Sequence, residues 1–295
     1  MTEKELFTVV GIRPEPVVSS KKKKRDKDFP WISVVLLSAI VICCMAAEMI
    51  MTKDPAYLDL MNYNVAPNKE FLFGTDTLGR DIFSGIWYGG RISITIGFLA
   101  TVISTFIAVV YGSVSGIAPV WLDTLMMRFT EIFLSVPGLL LVLFLQAILG
   151  EANTISLAIV IGVTSWASIA KVIRTEVRQI RNSEYVVASK CMGGKFFHIL
   201  RKHLSPNFIA AIMFMVVMNV RGAIGSESTL SFMGMGLPLE IISWGSMLSL
   251  AERALMTESW WIIVFPGAFL VTLLMCLTNI GNYLRKSSSR KESYL

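Results

Sequence analysis

This 295-residue sequence is short of charge: Asp, Glu, Lys and Arg make up 16% of it, against about 25% in soluble domains. Histidine occurs twice, at His198 and His203. Five residues apart is not one helical face, so the pair points to a surface or interface role rather than to a metal site. The four cysteines do not suit a disulfide scaffold, because Cys43, Cys44 and Cys276 lie in apolar runs and Cys191 in a basic loop. Also missing are a G-x-x-x-x-G-K-[ST] phosphate loop, an H-E-x-x-H pair and a G-x-S-x-G elbow. Without them the chain is not expected to hydrolyse ATP or to act as a zinc protease or serine hydrolase.

What the sequence has instead is apolar residues gathered into runs. Hydrophobic residues make up 54% of the chain and its mean hydropathy is +0.63. Uncharged stretches cover 29–47, 92–122, 132–150, 152–170, 203–220 (His203 taken as neutral) and 259–284. A helix rises about 1.5 Å per residue, so about 19 residues cover the hydrocarbon thickness of a bilayer. Each run can therefore span, which predicts an all-α integral membrane protein of six transmembrane helices, at about 31–51, 92–117, 125–150, 152–172, 207–226 and 259–284. The stretch 228–239, with Gly234, Gly236 and Pro238, is too short to span and reads as interfacial or re-entrant. The first run is too long for a signal-peptide core and reads as a retained helix.

Lys and Arg set the orientation. They concentrate in residues 1–30 (including Lys21 to Arg25), in 171–206, and in Arg285, Lys286, Arg290 and Lys291. Six spans place these three regions on one side, which the positive-inside rule makes cytoplasmic. The expected organisation is a basic cytoplasmic arm (1–30), a transmembrane domain (31–286) and a disordered cytoplasmic tail (287–295). The arm reads as a topogenic cluster facing membrane lipid, and the net charge of +6 calls for no nucleic acid. The long segment 52–91 falls outside, Pro119 to Asp123 forms a cytoplasmic turn and Gly150 to Asn153 an outer one.

The cytoplasmic loop carries the densest pattern. Residues Glu184 to Met192 read as a short helix stopped by Gly193-Gly194. A second begins at Lys195, with Phe196, Phe197, Leu200, His203 and Leu204 at helical spacing, and Pro206 closes it before the fifth span. Two amphipathic helices jointed on glycine make a knob that can lie on lipid headgroups or insert into a groove of a soluble partner; the pattern alone leaves both open.

This loop resembles that of permease subunits of binding-protein-dependent ABC importers, whose pattern is E-A-A-x-x-x-G, nine residues, I-x-L-P. Ala188, Ser189, Gly193 and Pro206 fall in register, while Val187, His203 and Ser205 replace the usual Glu, Ile and Leu. Further strings resemble the dipeptide, oligopeptide and nickel permeases of the second-subunit type. They are Phe73 to Asp81 (like F-G-T-D-x-x-G-R-D), Tyr88 to Ser93, Asp123 to Arg128, Ser135-Val136-Pro137, Leu230 to Gly236, Ser243-Trp244-Gly245 and Phe265-Pro266-Gly267.

The resemblance implies a type I ABC importer permease fold in a bacterial or archaeal cytoplasmic membrane. It implies a subunit that is not an enzyme and binds no cofactor, Mg-ATP being held by partners. Those partners would be a second homologous permease, two ATP-binding subunits and an extracytoplasmic substrate-binding protein. Glu184, Tyr185, Val187, Ala188, Ser189, Gly193, Gly194, His203 and Pro206 would form the loop that couples to the ATPase, and peptides, with nickel or a metal chelate as alternatives, would be the cargo.

Outside the loop, Gly74, Thr75, Asp76, Gly79, Arg80 and Asp81 combine turn glycines with opposite charges. They read as a turn pinned by an Asp to Arg contact, with binding-protein contact or strain at a pore mouth as alternatives. Arg221, with Glu227 six residues on, is either an interfacial anchor or part of a pathway. Trp260 and Trp261 suit interfacial anchoring, and Pro137 and Pro266 either kink their spans or pack plainly. A secondary transporter or channel is the rival function, but it would place Asp, Glu or His deep in several spans, where this sequence has almost none.

Overall fold

The computed structural model describes residues 29–181 and 205–292. Every regular element among them is helical, apart from one antiparallel bridge between Thr75 and Asp81. The helices are α1 (Trp31–Met45), α2 (Ala47–Ile50), α3 (Ile82–Ile117), α4 (Val120–Ser135), α5 (Gly138–Leu149), α6 (Thr154–Arg181), α7 (Ser205–Phe232), α8 (Trp244–Leu248), α9 (Ala251–Met256) and α10 (Trp261–Glu292). Three of them, α3, α6 and α10, are long and apolar enough to cross a membrane, and α4 with α5 makes a fourth candidate.

Several boundaries differ from the sequence reading for identifiable reasons. The run expected to span at 125–150 is not one helix: α4 and α5 meet at 89°. Pro137 supplies no N–H and disfavours helical backbone in the residue before it, so Val136 is extended, with ψ 130°. The second span begins ten residues early, at Ile82, because the Asp81 side chain accepts the Ser84 N–H and caps the helix there. Asp123, expected in a turn, lies inside the first turn of α4, and α7 runs past 226 to Phe232. Helix α10 continues to Glu292 through most of the expected tail, since each residue added to an existing helix gains a hydrogen bond without a new nucleation cost.

Helix α3 is the centre of the bundle. Small residues recur along its buried side, including Gly90, Ser93, Gly97, Ala100, Ser104, Ala108, Gly112 and Gly116. Lipid tails are as apolar as leucine, so helices in a membrane gain from close packing rather than from escaping water, and small residues allow it. A Cβ on Gly112 would lie 2.6 Å from the Ala170 carbonyl of α6, and one on Gly97 2.3 Å from Ile224 of α7. Around this spine, Trp166, Ile173, Val177 and Ile212 fill one end of the bundle. Ile82, Ile86, Leu250 and Ile262 fill the other.

Candidate functional site

The six residues singled out in the outer segment are brought together at the start of α3. Gly74 and Gly79 adopt φ of +78° and +75°, conformations suited to glycine, and a Cβ on Gly79 would sit 1.8 Å from the Asp59 carbonyl oxygen. Thr75 ties the segment to itself: its hydroxyl donates to the Asn62 carbonyl (2.6 Å) and accepts the Val65 N–H (2.8 Å). The Asp81 carboxylate accepts from the Ser84 hydroxyl (2.6 Å) and the Thr52 hydroxyl (3.2 Å) as well as from the Ser84 N–H.

The turn is not pinned by an Asp to Arg contact. Oδ1 of Asp76 is taken up by the backbone N–H groups of Leu78 (2.8 Å) and Arg80 (2.9 Å), and the Arg80 guanidinium reaches instead to the Leu239 carbonyl (2.9 Å). Burial pushes the Asp76 carboxyl above its ordinary range, against the opposing pull of those N–H groups. Trp261 does more than anchor at an interface, because its indole N–H donates to the Thr75 carbonyl (3.1 Å) and props the turn from α10.

Arg221 and Glu227 part company. Six residues along a helix is about 240° of rotation, and Arg221 is exposed while Glu227 is wholly buried. Glu227 is held in a cage of four serine hydroxyls. Ser93 (2.9 Å) and Ser228 (3.2 Å) donate to Oε2, and Ser231 (3.1 Å) and Ser243 (2.7 Å) donate to Oε1. The cage joins α3, α7 and the cap of α8, so the segment 233–243 is bound to the bundle by polar contacts with every carboxylate oxygen satisfied. Sequence reasoning missed the serines; the signal available was three of them at 228, 231 and 243 around one carboxylate next to a span.

At the opposite end of the bundle lies a cluster that sequence reasoning also missed. Arg174 grips Asp123 through Nε and Nη2, Arg178 adds a third contact (2.9 Å) and the Ser115 hydroxyl a fourth (2.7 Å). Arg181 donates to the Ile117 carbonyl (2.8 Å) at the end of α3. One buried carboxylate thus ties α3, α4 and α6 together immediately before residue 182. Arg174 and Arg178, four apart on one face of α6, were the available signal.

Glu184, Tyr185, Val187, Ala188, Ser189, Gly193, Gly194 and His203 lie outside the described residues. Pro206 is in the first turn of α7, where its missing N–H would have no helical partner anyway. Among the described residues, no group of three or more His, Cys, Asp or Glu could hold a metal ion.

Comparison with known proteins bears on this architecture. A family model described as binding-protein-dependent transport system inner membrane component matches residues 108–290. The oligopeptide transport system permease protein OppC of Bacillus subtilis is 35% identical over 267 residues, covering 90% of this chain and 87% of that protein. The dipeptide transport system permease protein DppC of the same organism is 40% identical over 222 residues, covering 75% and 68%. A chain of the MetNI methionine ABC transporter, solved in an inward-facing conformation, superposes with a TM-score of 0.55 over 69% of this chain and 96% of its own. At 16% identity that match speaks for the fold.

Proposed function

The chain belongs to the family of binding-protein-dependent transport system inner membrane components, and from that premise we propose that it forms one half of the translocation pathway of an ABC importer for peptides. The observation that carries this reading is the 35% identity to an oligopeptide permease across nearly the whole of both chains. A second, homologous permease completes the pathway. Two separate subunits bind and hydrolyse Mg-ATP, and an extracytoplasmic protein delivers the peptide. The chain crosses the bacterial or archaeal cytoplasmic membrane six times, with both termini in the cytoplasm.

Coupling falls to Glu184 to Pro206, which docks on the ATPase as a helix in a groove, with Gly193 allowing the bend that presents the helix end. The Asp123 cluster supports this assignment: a rigid tie between α3, α4 and α6 just before residue 182 can pass a push on the loop to three helices together. The segment 52–81, braced by Trp261 and the Asp81 cap, suits the side that receives cargo.

The test is reconstitution. The chain is purified with its partner permease and ATPase subunits, placed in vesicles with the binding protein, and offered a synthetic library of di- to hexapeptides with mass-spectrometric readout. ATP-dependent uptake is expected. Uptake by this chain without the ATPases, or no uptake of any peptide by the complete assembly, refutes the reading.

A further inference from the structure

Between α6 and α7 lies a groove of about 340 Å³ that the contacts described so far leave open, within the range of ligand pockets, roughly 300–1,000 Å³. One part of its lining is polar, from Ser165, Ser168 and Asn219, and another is apolar and adaptable, from Phe214, Met215 and Met218. None of its lining residues is charged.

Its depth is the first clue. Ser165 and Ser168 lie about 17 and 21 Å along α6 at 1.5 Å per residue, and residues 214–219 occupy the middle of α7. With α6 and α7 both crossing the bilayer, as the proposed function has them, the groove opens near its centre. Hydrocarbon offers no hydrogen-bond partner there, so polar side chains at that depth turn toward protein or a water-filled path. Ser168 is nonetheless exposed. Asn219 donates to the Ser104 hydroxyl through Nδ2, while its Oδ1 accepts no hydrogen bond among the described residues.

Resting on the reading of this chain as a peptide permease, we infer that this groove is the stretch of wall along which the peptide passes. The chemistry matches on three counts. Each peptide unit carries one donor and one acceptor; the Ser168 hydroxyl can donate, while Oδ1 of Asn219 and the Ser165 oxygen, whose own hydrogen goes to the Ile161 carbonyl (2.7 Å), can accept. Methionine is unbranched and polarisable and packs against side chains of many shapes, as a cargo of varied sequence requires. A neutral wall holds no charged side chain tightly enough to stop it, and transit demands that a site bind weakly enough to release.

The test uses the complete reconstituted assembly in which Cys43, Cys44, Cys191 and Cys276 are replaced by alanine, with Ser168→Cys or Met215→Cys introduced singly. A charged, membrane-impermeant methanethiosulfonate reagent is applied with and without the peptide library. Both positions are expected to label, at least threefold more slowly when peptide is present. Met215→Ala and Met218→Ala are expected to change which peptides are taken up, shifting the side-chain sizes of the imported set by about threefold or more. A merely structural role would lower the uptake of all peptides alike. Peptide uptake with no labelling at either position, as lipid or the second permease seated on the groove would give, overturns the inference and leaves the proposed function standing. Labelling that peptide does not slow, or methionine variants with an unchanged import profile, overturns it too. An assembly carrying the native chain that imports no peptide overturns both.

Discussion

Replacing Asp123 by alanine leaves the two guanidinium groups that meet on its carboxylate without their acceptor. The Asp123 side chain is 4% exposed and that of Arg174 23%. Removing one partner of a buried pair costs about 3–5 kcal/mol, because the remaining charge is left uncompensated. Arg178, at 44% exposure, can turn to water, and its share falls in the range of surface pairs, below about 1 kcal/mol. With Arg174 itself about a quarter exposed, the lower end applies, about 3 kcal/mol in all.

At roughly 2 °C per kcal/mol for a chain of this size, Asp123→Ala should unfold about 6 °C below the native protein. Tryptophan fluorescence of the purified assembly in lipid nanodiscs measures it. The double variant Asp123→Ala, Arg174→Ala should recover part of the loss, since the stranded guanidinium goes with its partner, and the departure from additivity reports their coupling. A single variant within about 1 °C of native, or a double variant no better than the sum of the two single ones, would refute the view that this cluster is a buried, mutually dependent tie.

Three further outcomes are expected. Glu227→Leu leaves four serine hydroxyls without their acceptor and should cost about 3 kcal/mol or more, whereas Glu227→Gln, which keeps one carbonyl oxygen, should cost about 1 kcal/mol; equal melting temperatures for the two would show that the cage contributes only volume. Gly193→Arg should leave ATP hydrolysis by the assembly intact but separate it from uptake, and normal uptake at normal expression would remove this loop from the coupling role. Because burial raises the Asp76 carboxyl above 3.8, the folded turn holds its proton to higher pH than the unfolded segment. The turn should therefore lose stability as pH rises from 3.8 through the raised value. Asp76→Asn should abolish that fall, read as protease cleavage within 52–81 at about pH 4 and pH 7, and a native protein whose cleavage does not change over that range contradicts the buried-carboxyl argument.

The sites divide by how local their signals are. Gly74, Thr75, Asp76, Gly79, Arg80 and Asp81 were legible as a turn because glycine at positive φ and a carboxylate two to four residues from its N–H donors are short-range features. The destination of Arg80 was not legible, since its acceptor is 159 residues away. Arg221 and Glu227 stood out by their place near the end of a span, but only the rotation of α7 shows one side chain exposed and the other enclosed.

Left to itself, the sequence settled that this is a helical chain of apolar runs broken by basic segments, because solvation in a bilayer sums over consecutive residues and needs no knowledge of neighbours. It also held the strings by which the family resemblance was found. Tertiary structure alone decided the near right angle at Val136-Pro137, the serine cage of Glu227 and the grip of Arg174 on Asp123. A proline can bend, end or merely decorate a helix until packing chooses. A hydrogen bond between residues 51 or 134 positions apart exists only once the helices have been laid side by side.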